Sequence, residues 1–433
     1  MKKHVYKIIT DPLLSGSAIM IVGSNSASAL NYLYHLIVGR LLGPSLYGEF
    51  ASLISVIGLL GIIPSAVGLV IVKQISSTRN EFETINLISW FKTKLFVLSL
   101  LCSIFILISS PLITSFLKID KISYLLLIGI SFLFSLQAGF NRFILQGLLR
   151  FREFVITILL ENTSKLLVGI LFIIAGFAVL GALFGFVIAS FLGFYLTSYY
   201  LKTKDQSASY TPPPLKPMFL LTIPILIQAV STTSIYTIDV VLVKHFFPSH
   251  DAGIYASLST LGKVIFFGAG PISTVMFPLV AKLSSRGENY RRVLIYSLVA
   301  TLFFALGVCF FYWLTPEVAI YLLFGSLYLE SSKLLILFGI FISLFTLSSL
   351  IINFGISLGK NKIVVFPLIF AIFQIILITF FHQTLLMVVL ICIGVNALLL
   401  LTLLIYLSFE KEFVYGKVIA ERDKFNFDNR SSI

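Results

Sequence analysis

Charged residues are scarce in this chain of 433 residues: they make up 11% of the sequence, while hydrophobic residues make up 58%. Soluble domains have roughly a quarter of their residues charged, so the composition excludes an ordinary soluble enzyme or binding domain. The mean hydropathy of +1.04 instead predicts an integral membrane protein.

Cysteine is also scarce, since the chain has only Cys102, Cys309 and Cys392. Each lies in an apolar stretch, where a thiol behaves as a small hydrophobic side chain, and no disulfide framework is predicted. The motifs HExxH, CxxC, G-x-S-x-G and Walker A are absent as well. The sequence therefore predicts no metal site, no cofactor, no catalytic residues and no enzymatic activity.

Long apolar stretches are abundant, and a helix that spans a bilayer needs about 20 such residues. The alternating pattern of a membrane barrel is absent. We therefore predict an all-α integral membrane protein with about twelve transmembrane helices. Their predicted bounds are 17–38, 46–72, 91–110, 122–146, 155–176, 179–201, 218–243, 252–280, 292–314, 332–358, 363–381 and 384–408.

Most of the Lys and Arg residues fall on alternate predicted loops, on the side of the membrane that holds both termini. Positively charged loops favour the cytoplasm, so both termini are predicted to be cytoplasmic and the number of spans to be even. The formal net charge of +13 is then explained by topology and by contact with anionic membrane lipids. Nucleic-acid binding is not predicted.

Two stretches of the first half recur in the same order in the second half. The sequence "LYGEFASLIS" at 46–55 resembles "AGIYASLSTL" at 252–261, and a second match relates 141–154 to 353–366. Turn chemistry alone is the alternative explanation. Because each half holds six spans, a duplication predicts a parallel 6+6 repeat around a central cleft. The predicted segments are an N-terminal six-helix lobe (1–201), a cytoplasmic linker (202–217), a C-terminal six-helix lobe (218–408) and a cytoplasmic tail (409–433).

Three features resemble those of a known family. They are the sequence "GRLLGPSLYGEFASL" at 39–53, the sequence "IDVVLV" at 238–243 and the twelve-span layout. The chain resembles the polysaccharide flippases of the multidrug/oligosaccharidyl-lipid/polysaccharide (MOP) exporter superfamily. This resemblance implies that it moves an undecaprenyl-pyrophosphate-linked oligosaccharide, for O-antigen, capsule or a similar polymer, from the inner to the outer leaflet of a prokaryotic plasma membrane. It also implies polysaccharide polymerase machinery as a further partner.

Lipid II flippases of the same superfamily typically carry arginines in their first two helices. This chain has no Arg or Lys in the cores of spans one and two, which disfavours lipid II as the cargo.

Three ionisable residues are predicted deep inside the first half. Arg142 lies about as far before the turn between spans four and five as Glu161 lies after it, which places both on the order of 14 Å deep. Lys165 lies one turn beyond Glu161 on the same helix face. One interpretation is a neutral pair that holds two helices together. In the other, the surplus positive charge binds the pyrophosphate of the cargo.

The corresponding positions in the second half of the repeat are apolar, at Phe354, Phe373 and Leu377. That half instead contributes Asp239, near the outer end of span seven, and Lys263, deep in span eight. Asp239 either pairs with nearby Lys244 or, like Glu161, binds a coupling H+ or Na+. Lys263 has no acidic neighbour within a turn or two, and we predict that it faces the cleft as a third substrate-binding cation.

Two polar stripes complete the predicted site. One lies on a single face of span one and the other on span seven. They either line the cleft or form contacts between helices. Their members are Ser24, Ser28, Asn31 and His35 in span one, and Gln228 and Thr232 in span seven.

The resulting hypothesis is alternating access, in which Arg142, Lys165 and Lys263 hold the phosphates of the cargo. A cation-coupled multidrug exporter of the same superfamily is the first alternative, and its cargo would prefer free carboxylates. The others are an enzyme that acts on a lipid-linked sugar, and a scaffold subunit.

Overall fold

A computed structural model describes residues 12–78, 80–202 and 215–409. Within these ranges every regular element is helical, which confirms the predicted all-α membrane fold. Helices satisfy their backbone groups internally, and this is what apolar segments need where no water is present. Most of the predicted linker, residues 203–214, and the predicted tail beyond Phe409 lie outside the described residues.

The helices of the first half are long. They are α1 (Pro12–Leu60), α2 (Ile62–Ser76), α3 (Glu81–Leu117), α4 (Ser123–Gly147), α5 (Phe151–Phe172) and α6 (Ala178–Tyr200), with a π-helical turn at Ile173–Phe177 between α5 and α6.

The second half contains eight helices and two short 3₁₀ turns within the described residues. The helices are α7 (Leu215–Ile235), α8 (Ile238–Phe246), α9 (Ser249–Ser285), α10 (Arg291–Leu314), α11 (Pro316–Leu323), α12 (Ser332–Ser357), α13 (Val365–Phe380) and α14 (Leu385–Phe409), and the turns are Ser326–Ser331 and Asn361–Val364.

Nine helical segments of the described chain are long and apolar enough to span a membrane, or ten if the bent pair α7–α8 is one span. Two of them, of 42 and 50 residues, would be about 63 and 75 Å long, roughly twice the thickness of the hydrocarbon core. Each also contains a glycine with positive φ, Gly43 (φ 71°) or Gly176 (φ 93°). If each of these two long segments counts as two spans and the bent pair α7–α8 as one, the number of spans becomes twelve. The count of twelve spans stays a prediction.

The start of α3 differs from its predicted position at residue 91, because α3 begins at Glu81. Asn80 caps this helix: its side-chain oxygen accepts a hydrogen bond of 2.8 Å from the backbone N–H of Glu83. Glu81 and Glu83 also place negative charge at the positive end of the helix dipole. These polar signals extend the helix beyond the apolar run. A hydropathy window does not detect them, so the predicted start lies too late in the chain.

The described chain forms two compact units. The first contains the chain up to Ala229 together with Val243–Ala256 and Leu323–Leu327. The second contains Val230–Leu242, Ser257–Leu322 and the residues from Tyr328 onward. The two six-helix lobes stay a prediction. The first unit includes the first five residues, 252–256, of the second copy of the repeated sequence.

Inside the first unit, the two copies of the repeated loop lie against each other at Gly48 and Gly253. A Cβ atom added to Gly48 would lie 2.7 Å from the backbone nitrogen of Gly253. One added to Gly253 would lie 2.8 Å from Cα of Pro44 and still closer to its carbonyl group. Only glycine allows backbones to approach so closely. The shared glycine of the two copies is thus explained by their mutual contact.

A second close helix contact in the first unit joins α5 and α6. A Cβ atom on Gly185 would lie 2.7 Å from Cα of Gly169 and 3.0 Å from the carbonyl oxygen of Lys165. Small residues at such a crossing let transmembrane helices pack backbone to backbone. This contact fixes the part of α5 that carries Lys165.

In the second unit, the position that corresponds to Arg142 belongs to a hydrophobic cluster. Phe354 is 1% exposed and its ring lies 5.9 Å from that of Tyr290. The cluster also contains Met276, Val280, Leu294 and Leu350. At the position that the predicted repeat equates with Arg142, apolar packing therefore takes the place of an ionic contact.

Candidate functional site

The structure brings Arg142 of α4 and Glu161 of α5 together as an ion pair between Nη2 and Oε2. Arg142 also donates hydrogen bonds of 3.3 Å from Nε to the hydroxyl and from Nη2 to the carbonyl oxygen of Thr157. The two side chains are only 10% and 19% exposed. A buried guanidinium is thus satisfied by one carboxylate and two neutral oxygens, as the neutral-pair interpretation expects.

Helix α6 closes one side of this ion pair through Gly193. A Cβ atom at Gly193 would lie 2.9 Å from Cδ of Glu161 and 3.1 Å from Nη2 of Arg142. The absence of a side chain at this position therefore leaves the room in which the ion pair forms.

Lys165 lies one turn further along α5, among side chains from α1 and α6. Its ammonium donates a hydrogen bond of 2.5 Å to the amide oxygen of Asn31. It also lies 4.9 Å from the ring centroid of Phe186 and 5.3 Å from that of Tyr34, within the range of cation–π attraction. The side chain is 7% exposed. A buried cation is thus held by one neutral oxygen and two aromatic rings.

The local charge balance is positive. Glu161 acts electrostatically on Lys165, but its carboxylate forms the ion pair with Arg142. Two cations therefore share one anion, as the alternative interpretation of this cluster requires. We call these residues, Arg142, Glu161 and Lys165 together with Asn31, the basic cluster.

Tyr34 supports the basic cluster from within the first unit. It is fully buried, and its hydroxyl donates a hydrogen bond of 2.9 Å to the carbonyl oxygen of Ala182 on α6. Its ring lies edge-on to that of Phe186 at 5.6 Å. The residue thereby ties α1 to α6 beside Lys165.

The remaining polar residues of span one lie differently from Asn31. His35 lies 5.9 Å from the ring centroids of Tyr34 and Phe50 and is therefore part of an aromatic group. Ser28 is exposed and Ser24 is half-buried. Of the four residues in this stripe, Asn31 is the one that contacts a predicted substrate-binding cation. On α7, Gln228 and Thr232 are both half-buried.

The second unit contains the other predicted cation, Lys263 of α9. Its ammonium lies 5.4 Å from the ring centroid of Tyr236, which in turn packs against Phe266 and Phe345. Asp239 is fully buried and acts electrostatically on Lys263. An acidic group therefore does lie near Lys263, although the two residues are too far apart in sequence for neighbouring turns to reveal it.

Lys244, the alternative partner for Asp239, directs its ammonium elsewhere. Nζ donates hydrogen bonds of 2.8 and 3.4 Å to the carbonyl oxygens of Leu117 and Lys118. These carbonyls lie at the end of α3, where positive charge stabilises the helix dipole. Lys244 is thus explained as a helix cap.

Sequence reasoning missed Tyr34, Phe186, Thr157 and Tyr236. One signal was available: Tyr34 follows Asn31 by three residues and therefore lies near it on the same helix. In the part of the chain that the structure describes, no group of three His, Cys, Asp or Glu side chains is placed to hold a metal ion.

Residues 37–333 match the family described as "Polysaccharide biosynthesis protein". The chain is 25% identical, over 393 residues, to the uncharacterized membrane protein MJ1375 of Methanocaldococcus jannaschii; the alignment covers 83% of this chain and 88% of that protein.

Among solved structures, the lipid II flippase MurJ in an inward closed conformation has a TM-score of 0.74 at 17% identity, covering 92% of this chain and 89% of that chain. A multidrug resistance MATE family transporter in an inward-facing conformation has a TM-score of 0.70 at 15% identity, covering 88% and 94%. These likenesses show that the fold is that of the MOP superfamily of transporters. The chain therefore belongs to the polysaccharide biosynthesis protein family and is a multi-pass membrane protein with the fold of the MOP superfamily.

Proposed function

We propose that the chain is a flippase for an undecaprenyl-pyrophosphate-linked oligosaccharide, which it moves from the inner to the outer leaflet of a prokaryotic plasma membrane by alternating access. The observation that carries the proposal is the surplus positive charge of the basic cluster. Lys165 is buried in an apolar bundle and hydrogen-bonded to a neutral oxygen. Buried charge in a membrane protein usually marks a substrate or ion path, and family membership supports a lipid-linked sugar.

The chemistry of the cluster suits a pyrophosphate group. An ammonium forms stronger hydrogen bonds to an anionic oxygen than to an amide oxygen, so Lys165 would gain by binding phosphate. Arg142 is already held by Glu161 and contributes its positive field from a fixed position. In the second unit, Lys263 supplies a further cation for a phosphate oxygen.

A multidrug exporter is less well supported, because an organic cation needs an available carboxylate. Glu161 is engaged by Arg142, and Asp239 is fully buried within the electrostatic range of Lys263. Lipid II, the cargo of the similar flippase MurJ, is a second alternative. Here, however, the cores of the first two spans contain no Arg or Lys.

The movement of a charged headgroup requires a driving force, and we propose that Glu161 or Asp239 binds the coupling H+ or Na+. The distribution of Lys and Arg supports cytoplasmic termini. Polysaccharide polymerase machinery would then use the product at the outer surface.

Removal of the Lys165 charge is expected to lower transfer at least about tenfold, since a hydrogen bond to a charged group contributes roughly 1.5–3 kcal/mol. The measurement is the transfer of a fluorescent polyprenyl-pyrophosphate oligosaccharide between the leaflets of liposomes that contain Lys165→Met or wild-type protein. Lys263→Met should show a loss in the same direction.

Lys94→Met is the matched control, because it removes an exposed lysine of α3 and should transfer as wild type does. Unchanged transfer by both Lys165→Met and Lys263→Met would contradict the binding role of these cations. A wild-type protein that moves none of several such lipids, but exports organic cations, would favour the exporter.

A further inference from the structure

The Lys165 ammonium is surrounded by two aromatic rings and one neutral oxygen. Two sides are covered by the rings of Tyr34 and Phe186, which attract the cation but accept no strong hydrogen bond. The third is occupied by the amide oxygen of Asn31 at 2.5 Å. An ammonium has three donors, and the hydrogen-bond acceptor it meets here is a neutral one.

The members of this group differ in exposure. Tyr34 is fully buried and Lys165 is 7% exposed, whereas Asn31 is half-buried. One turn earlier on α1, Ser28 is exposed. Of the groups that contact the ammonium, Asn31 is therefore more accessible than Tyr34, and it lies on the helix face that also carries Ser28.

The identity of the residue at position 31 also decides the charge of the site. An amide oxygen holds the ammonium without neutralising it, and it can be displaced by a stronger acceptor. A carboxylate at the same place would form a buried ion pair with Lys165, and the anion would then have to break that pair before it binds. Glu161, the nearest acidic group of the cluster, is kept from this role by Arg142.

We infer that Asn31 is a specificity-determining residue that holds the place of an anion: its amide oxygen occupies the position on Lys165 that a phosphate oxygen of the cargo takes, and it swings away when the cargo binds. This inference rests on the proposed function and deepens it. It predicts that the site accepts phosphate-bearing lipids and rejects uncharged or cationic ones.

The isosteric variant Asn31→Asp tests this directly. We expect it to weaken the binding of a short polyprenyl pyrophosphate to the protein in nanodiscs at least about tenfold, because the new carboxylate pairs with Lys165. Asn31→Ala removes the competing oxygen, so its affinity should equal or exceed that of the wild type. If Asn31 has only a structural role, both variants should bind the polyprenyl pyrophosphate more weakly than the wild type does.

Two controls accompany these variants. Asn25→Asp adds the same charge to the same helix at an exposed position, where it also removes the hydrogen bond that Asn25 Nδ2 donates to the carbonyl oxygen of Ile21, and it should bind nearly as wild type does. If Asn31→Ala does not fold, Asn31→Ser serves instead, since its shorter side chain also withdraws the acceptor. Inorganic pyrophosphate as a competitor separates recognition of the phosphates from recognition of the lipid chain.

The outcomes separate the inference from the function on which it rests. If wild-type protein binds the lipid but Asn31→Asp binds equally well, or Asn31→Ala loses as much affinity as Asn31→Asp, the inference is overturned and the flippase proposal survives. If the expected order of affinities is found but leaflet transfer is absent, the inference stands and the flippase proposal fails. If wild-type protein binds neither the lipid nor pyrophosphate, both are overturned.

Discussion

Glu161→Gln is expected to lower the free energy of unfolding by about 3–5 kcal/mol, which is the cost of leaving a buried charge without its partner. The substitution keeps the shape of the side chain and removes its charge. Arg142 would then remain buried with the two oxygens of Thr157 as neutral acceptors. The measurement is equilibrium unfolding in detergent or in mixed micelles.

The double variant Arg142→Met, Glu161→Met is expected to recover most of this loss, because replacing both members of a buried pair by apolar residues is often neutral. The matched control is Glu153→Gln, since Glu153, 27% exposed, pairs with Arg150, 38% exposed. That pair should contribute no more than about 1 kcal/mol. A Glu161→Gln protein as stable as the Glu153→Gln control would show that Arg142 does not depend on Glu161.

The same comparison distinguishes structure from transport. If the double variant folds as well as the wild type but transfers no lipid, the ion pair interacts electrostatically with the cargo and is needed for transport. If the double variant folds and transfers normally, the pair serves packing alone, and Lys165 alone supplies the positive charge of the basic cluster that the cargo needs.

The ionic part of the basic cluster could be predicted from sequence because ionisable residues are rare in apolar spans. Arg142, Glu161 and Lys165 stand out against apolar neighbours, and the turn at about residue 151 places them at similar depth. The bundle then joins Arg142 and Glu161 as an ion pair and places Lys165 within the electrostatic range of Glu161.

The aromatic part could not be predicted, because this chain has 42 Phe and 18 Tyr residues. Most aromatic positions in transmembrane helices contact lipid or neighbouring helices, so neither Tyr34 nor Phe186 carries a distinctive signal. Lys244 shows a second limit of sequence reasoning. Its acceptors are the carbonyl oxygens of Leu117 and Lys118, and every residue has such an oxygen, so the side-chain sequence does not identify the partner.

The repeat shows how far sequence similarity led. The matching words at 46–55 and 252–261 predicted a duplicated loop. The structure adds that the first copy and residues 252–256 of the second copy lie in one unit and touch at Gly48 and Gly253. A residue that looks like turn chemistry in each copy is therefore required by the other copy, and this requirement is visible only in three dimensions.

Gly253→Ala is expected to destabilise the protein by about 1–3 kcal/mol, or more if the backbone cannot move, because the added methyl group would overlap the carbonyl group of Pro44. The clash is with backbone atoms and not with the end of a flexible side chain, so the backbone around Pro44 and the backbone around Gly253 would have to separate to remove it. The measurement is again equilibrium unfolding, together with leaflet transfer.

Gly307→Ala is the matched control, since it lies inside helix α10 and a Cβ atom there would meet nothing within 4 Å. Alanine is the better helix former by about 1 kcal/mol, so this variant should be unchanged or more stable. The same substitution inside two helices is expected to change stability in opposite directions, which separates the contact at Gly48 and Gly253 from helix propensity. Equal effects on stability at both positions would mean that the two segments move apart at no cost in free energy. The recurrence of glycine in both copies would then reflect their turns and not their contact.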